Sequence, residues 1–129
     1  MRLLVDTHVA IWLVTEPERI PSEITELLSD GQNEVFVSAA TVWEIAIKRP
    51  LKRADAPPFS AQQAIDEFRS AGLTVLDVTA AHAAVVELLP LHHFDPFDRL
   101  IVAQARFEPM RLVTHDAMLV KYEPTAILF

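Results

Sequence analysis

Apolar residues recur along this chain in two alternating rhythms. RLLVD (2–6) is a short continuous apolar run, and VFVS (35–38), LTVLDV (73–78), RLVTHD (111–116) and TAILF (125–129) are the other strand candidates. Runs of this length are expected of strands buried on both faces of a parallel sheet. Between them, apolar positions fall at helical spacing over 8–14, 21–30, 40–49, 61–71, 79–89 and 96–107. Strand–helix alternation of this kind predicts an α/β domain with a central parallel sheet. The punctuation agrees. Pro21 and Ser22 open the second helical segment, Gly31 follows its end, and Gly72 follows the fourth, as C-cap glycines do. RPLKRADAPPF (49–59) reads as a proline-rich, basic surface loop, with Pro50 ending the helix before it. No repeat, low-complexity tract or long linker interrupts the pattern, so residues 1–129 are expected to form a single domain.

Composition narrows the function. Hydrophobic residues make up 51% and mean hydropathy is +0.24, high enough that part of the apolar excess is expected to cover an interface. The absence of cysteine removes disulfides, thiolate zinc sites and cysteine nucleophiles together, and fits a reducing compartment. MRLLVDTHVAIWLV at the start is interrupted by Asp6 and His8, and no apolar stretch reaches the ~18 residues of a membrane span. The chain is therefore expected in the cytoplasm, without a membrane partner. With 11 basic against 18 acidic residues the net charge is −7. That balance opposes nucleic-acid binding unless the acids gather where cations neutralise them. With only two glycines, Gly31 and Gly72, no phosphate-cradling glycine-rich loop is available.

Four acids stand at helix starts. Asp6 ends the first strand, where Thr7 is placed to cap the next helix. Glu44 follows Thr41 in the capping-box pattern Thr41-Val42-Trp43-Glu44. Asp95, Pro96 and Asp98 suit an N-cap and the first and third helical positions. Asp116 follows the fourth strand as an N-cap for 117–122. Each acid alone has a structural explanation, but the placement of all four does not. In a parallel α/β sheet, strand C-termini and the following helix N-termini share one edge, where ligands bind. Four carboxylates converging there repel one another unless a cation joins them, and hard oxygen donors suit Mg²⁺ or Mn²⁺. Such a site can activate water for phosphodiester hydrolysis. Asp6 and Asp98 are read as direct ligands. Glu44 and Asp116 are read as ligands, water-mediated ligands, or the group that orients the attacking water.

The remaining candidates carry less. His92-His93-Phe94-Asp95 lacks a partner at zinc-ligand spacing and is read as loop and cap. His8 and His82 lie in helical patterns, His8 close enough to support Asp6. No serine sits in a nucleophile-elbow motif. Trp12, Trp43, Phe97 and Phe107 occupy apolar helical positions and are read as core rather than base-stacking groups. Lys48, Arg49, Lys52 and Arg53 form a basic cluster, read as a solvated loop with RNA-backbone contact as the second reading.

LLVDTHVAIWL, VSAATVWEIAIK, LPLHHFDPFDRLIVAQA and RLVTHD, in this order and spacing, resemble the PIN-domain family, and more closely the VapC-type toxins of toxin–antitoxin pairs. The resemblance implies a three-layer α/β/α fold around a five-stranded, mainly parallel sheet. It implies a Mg²⁺- or Mn²⁺-dependent endoribonuclease whose acidic centre matches Asp6, Glu44, Asp98 and Asp116. Asp98 is preferred to Asp95 because DRLIVA carries the family's Asp-x-x-Leu/Ile-x-Ala pattern, with Asp95 assisting from the rim. Thr114 matches a position near the metal. An RNA substrate, a cognate antitoxin and homodimerisation are implied as well. The chain departs from the family at RPLKRADAPPF, where related chains carry a Gly-Lys-Leu stretch. Two other phosphate enzymes fit poorly: a haloacid-dehalogenase-like hydrolase needs an acid where His8 stands, and a receiver-type phosphoacceptor needs its Asp on a middle strand. The alternative from another class is a non-catalytic PIN-like binding or assembly module.

Overall fold

The computed structural model describes residues 1–54, 56–92 and 95–129. Five strands, β1 (Arg2–Val5), β2 (Glu34–Ser38), β3 (Thr74–Leu76), β4 (Arg111–Thr114) and β5 (Ile127–Leu128), pair in the order β3-β2-β1-β4-β5. Every pairing is parallel, so the sheet is fully rather than mainly parallel. The helices are α1 (Thr7–Thr15), α2 (Ser22–Ser29), α3 (Ala39–Lys48), α4 (Ala61–Ser70), α5 (Ala80–Val85), α6 (Pro96–Phe107) and α7 (Ala117–Val120). None of the described helices is long and apolar enough to cross a membrane.

Strand alternation divides the core in two. Leu3, Val5, Val35, Val37 and Val113 face Val9 and Ala10 of α1 and Ala64 and Phe68 of α4. On the other face, Leu4, Phe36 and Leu112 meet Ile101, Val102, Ala103 and Ala105 of α6, Leu119 and Tyr122. Helices therefore cover both faces in a three-layer α/β/α arrangement, which is why the central strands carry no polar alternation. The helix α3 joins the two clusters, placing Ile45 in the first and Ala40 in the second.

The register positions the chemistry. Val5 of β1 pairs with Val37 of β2 and Val113 of β4. One residue further on, Asp6 emerges between Ser38 and Thr114, and its amide donates to the Val113 carbonyl at 3.1 Å. Local signals differ from the sequence reading at three points. The cap of α3 is Ser38, not Thr41, because the helix begins at Ala39 and the Ser38 hydroxyl accepts the Ala40 amide. Asp6 rather than Thr7 caps α1, accepting the Val9 amide at 2.9 Å. Gly31 does not adopt the left-handed backbone of a C-cap glycine, whereas Gly72 does, at φ 90°. Past α3, a 3-10 turn over Arg49–Leu51 accommodates Pro50.

Candidate active site

Asp6 lies at the middle of the C-terminal edge of the sheet, 3% exposed. Its two oxygens have different partners: Oδ1 accepts the Val9 amide, and Oδ2 accepts the Thr114 hydroxyl. The same Thr114 oxygen accepts the Asp116 amide at 2.9 Å, so one buried hydroxyl ties Asp6 to the start of α7. Asp116 is the N-cap of α7, accepting the Met118 amide at 2.8 Å. Burial pushes the Asp6 carboxyl above its ordinary 3.8. The Thr114 and Val9 hydrogen bonds and the His8 charge pull it back down, and the Asp116 charge adds to the rise.

A second hydroxyl relay supports Glu44. Thr7 donates to Glu44 Oε1 at 3.3 Å, and Thr7 and Thr41 share a bond of 2.9 Å. Thr7 has one proton, which goes to the carboxylate, so Thr41 donates to Thr7. Thr41 is not the helix cap that its capping-box spacing predicts; its place one turn inside α3 makes it a support for Glu44 instead. The other Glu44 oxygen accepts Lys48 Nζ at 2.6 Å, an i,i+4 pair on α3. Lys48 also feels Asp95 and Asp98. The Glu44 hydrogen bond, ahead of opposing burial, and then the charges of Glu44, Asp95 and Asp98 hold its ammonium above its usual range.

Asp98 lies half-buried in the first turn of α6. Asp95 caps that helix, accepting the Phe97 and Asp98 amides at 2.9 and 3.2 Å. Asp6 and Asp116 are thus linked through Thr114, Glu44 joins them through its neighbour Thr7, and Asp98 enters the same field at Lys48. Among the described residues, no three acidic or imidazole side chains form a preformed cage for an ion. The donor chemistry nonetheless fits a hard divalent cation: the set is all oxygen, and it includes a buried carboxylate whose charge lacks a basic hydrogen-bond partner.

A groove of about 690 Å³ leads away from this edge. It runs from Glu44 and Lys48 along α1 past His8 and Trp12 to Arg19, with Arg53, Pro57 and Pro58 on the far wall. Two aromatic expectations fail. Trp43 and Phe107 are exposed rather than core residues, while Trp12 is half-buried at the groove's margin. The double histidine falls partly outside the described residues, since His93 and Phe94 lie there, as does Asp55 of the basic loop. Lys48 was visible in the sequence only as one member of a basic cluster; its spacing from Glu44 was the signal for its pairing.

The model of the PIN domain family matches residues 3–123. The chain belongs to the PIN-domain family. This PIN domain is 33% identical over 120 residues to the ribonuclease VapC22 of Mycobacterium tuberculosis, covering 91% of this chain and 88% of the relative. It is 36% identical over 63 residues to the ribonuclease VapC16 of the same organism, about half of each chain (49% and 45%). Its fold superposes with a TM-score of 0.70 on a chain of the promoter-DNA-bound VapBC2 structure from Rickettsia felis, at 21% identity and covering 100% and 98% of the two chains. A chain of the DNA-bound VapBC structure from Salmonella typhimurium gives the same TM-score at 18% identity, over 100% and 97%.

Proposed function

We propose that this PIN domain is an endoribonuclease that hydrolyses RNA phosphodiester bonds with Mg²⁺ or Mn²⁺, and that it serves as the toxin of a toxin–antitoxin pair. The observation that carries the chemistry is the buried Asp6 carboxylate, locked by Val9 and Thr114 beside Asp116. The biological role is supported by the near full-length similarity to a relative named as a VapC ribonuclease. Asp6, Glu44, Asp98 and Asp116 would hold the ion, with Asp6 and Asp98 as the direct ligands. When bound, the ion supplies an activated water and neutralises charge on the leaving oxygen.

This chain's own residues prepare that chemistry. The Thr114 hydroxyl fixes one oxygen of Asp6 and, through the Asp116 amide, the position of the second acid. The Thr41–Thr7 relay fixes Glu44, whose remaining oxygen is held by Lys48. Such preorganisation removes the rotamer freedom that would otherwise oppose catalysis. Asp95 fixes the first turn of α6 and with it the backbone of Asp98.

A cognate antitoxin, a homodimeric state and a cytoplasmic location belong to the same reading, as does a single domain over 1–129. One feature favours the rival, a non-catalytic module: the Glu44–Lys48 pair satisfies an acid with no need of metal. A single experiment separates the two. Purified protein, free of antitoxin, is incubated with total and synthetic RNA in Mg²⁺ or Mn²⁺, beside EDTA controls and a folded Asp98→Asn variant. Cleavage by the wild type alone, abolished by EDTA, is expected. The variant should lose at least about 100-fold in rate, the scale of removing one charge-stabilising group. Cleavage that persists in the variant or in EDTA would place the activity elsewhere, and calorimetry showing no Mn²⁺ binding would remove the mechanism.

A further inference from the structure

The groove along α1 is lined by His8 and Trp12, and from Trp12 a row of rings that the acidic centre does not use continues beyond that lining. The exposed His8 ring lies 6.0 Å from Trp12, and Trp12 lies 5.2 Å from the exposed His115 ring, edge to face. His115 continues to Phe129 at 5.2 Å. This row begins at the centre itself, because His8 is two residues from Asp6 and His115 stands between Thr114 and Asp116. Trp12 is six residues along α1 from Asp6, a rise of about 9 Å. A strand leaving the acids therefore reaches it directly.

The charges of the groove are uneven. Among the described residues that line it, both acids are paired, Glu44 with Lys48 at 2.6 Å and Glu16 with Arg19 at 2.5 Å. That leaves Arg53, which has no ion-pair partner among the described residues, as surplus positive charge on the far wall. Arg19 lies over the Trp12 ring, 5.1 Å from its centroid. Its pair with Glu16 is solvent-exposed and hence weak, and so is a cation–π contact made by an exposed guanidinium, so it can yield its place on the ring at small cost. Rings offering a stacking face, with arginines alongside, match an unpaired base and its phosphates; a neutral apolar peptide would leave the arginines without a counterpart.

We propose that this groove seats the single-stranded RNA flanking the scissile phosphate, with an unpaired base stacked on Trp12 and strand phosphates at Arg53 and Arg19. The assignment rests on the ribonuclease reading and adds to it the side chains that hold the strand. His8 borders the base site within the groove, and His115 flanks Trp12 from outside it. Arg19 turns from the ring to the strand when the base enters.

The chain has two tryptophans, so Trp43→Phe leaves Trp12 as the only indole reporter. Short single-stranded oligoribonucleotides are titrated into that protein in EDTA, which suppresses cleavage, while anisotropy of a labelled RNA reports total binding. Saturable quenching of Trp12 emission by single strands, and much weaker quenching by duplex RNA, is expected. Trp12→Ala should weaken binding roughly 10-fold, whereas Trp12→Phe, which keeps a stacking ring and guards against misfolding, should retain most of it. Arg53→Ala should weaken binding and lower its salt dependence by about one phosphate's share. In cleavage, Trp12→Ala should raise KM more than it lowers kcat. RNA binding that leaves Trp12 emission unchanged, and is equal in the Phe and Ala variants, would overturn the proposal while metal-dependent cleavage still stood. Quenching by an antitoxin segment but not by RNA would also overturn it. Absence of both RNA binding and cleavage would instead remove the ribonuclease reading beneath it.

Discussion

At the scale of single residues, Asp6 is held in a state that folding alone does not favour. Its carboxyl titrates above the ordinary 3.8 because burial disfavours the charged form. A carboxyl whose folded value exceeds its unfolded value contributes stability that is full below the unfolded value and is lost as pH rises through the folded one. At neutral pH the ionised group therefore opposes folding. Asparagine keeps the shape and can still accept the Val9 amide, so in EDTA at pH 7 Asp6→Asn should melt above the wild type. The gap should close as the pH falls below 3.8, where the carboxyl is protonated in both the folded and the unfolded chain. A less stable variant at pH 7 would show that the Thr114 bond outweighs burial. Adding Mn²⁺ should reverse the order, stabilising the wild type by about 2.7 kcal/mol at a hundredfold excess over Kd and leaving the variant nearly unmoved. The edge positions of Asp6, Asp98 and Asp116 were legible in the sequence because strand ends and helix starts share one edge, whereas Glu44 lies in the second turn of α3 rather than at its start. The hydroxyls of Thr7 and Thr41 and the ammonium of Lys48 were not. Their roles depend on which side chains meet across β1 and α3, and no local pattern encodes that.

At the scale of elements, legibility followed the strength of the local rule. The central strands were visible because burial on both faces removes polar residues from them. The cap of α3 was misread because Thr41 and Glu44 satisfy the capping-box spacing one turn too late, while Ser38, at the end of β2, supplies the true cap. The two glycines separate for the same kind of reason. Only the end of α4 makes the paired bonds of a Schellman motif, Leu73 to the Phe68 carbonyl at 2.9 Å and Gly72 to the Arg69 carbonyl at 3.0 Å. Leu73 and Phe68 also meet in the core, which locks the turn that feeds β3. A Cβ on Gly72 would meet nothing within 4 Å, so the cost of substitution is one of backbone conformation alone. Gly72→Ala should destabilise the domain by about 1–2 kcal/mol in denaturant titrations, with RNA cleavage unchanged because β3 is an edge strand away from the acids. The same substitution at Gly31 should fall within about 0.5 kcal/mol. Equal costs at the two sites would mean that the left-handed turn is not what holds Gly72.

At the scale of the whole molecule, the apolar excess seen in the composition has a location. Trp43, Ile47 and Leu51 are spaced four residues apart along α3 and the turn that follows it, and all three are exposed. Trp43 meets the Phe97 ring at 5.1 Å, which extends the stripe onto α6. Glu44 and Lys48, each one residue further along, point about 100° around the helix toward the groove. One helix thus presents an acid and its lysine to the active edge and an apolar stripe to solvent. A stripe of this kind on a chain of net charge −7 is suited to burial against a second copy, because its own residues carry none of the charge that would make two such chains repel. The protein should therefore sediment as a dimer at micromolar concentration. Ile47→Glu should weaken association about 30-fold by placing a carboxylate at the centre of the contact. The same change should leave the melting temperature of the monomer almost unaltered, since Ile47 is exposed within one chain. A wild-type monomer at that concentration, or a variant that dimerises as well as the parent, would free this face for another partner. Cleavage by the monomeric variant at the parent's rate would then show that the acids of each chain act alone, and loss of cleavage with the dimer would show that they do not.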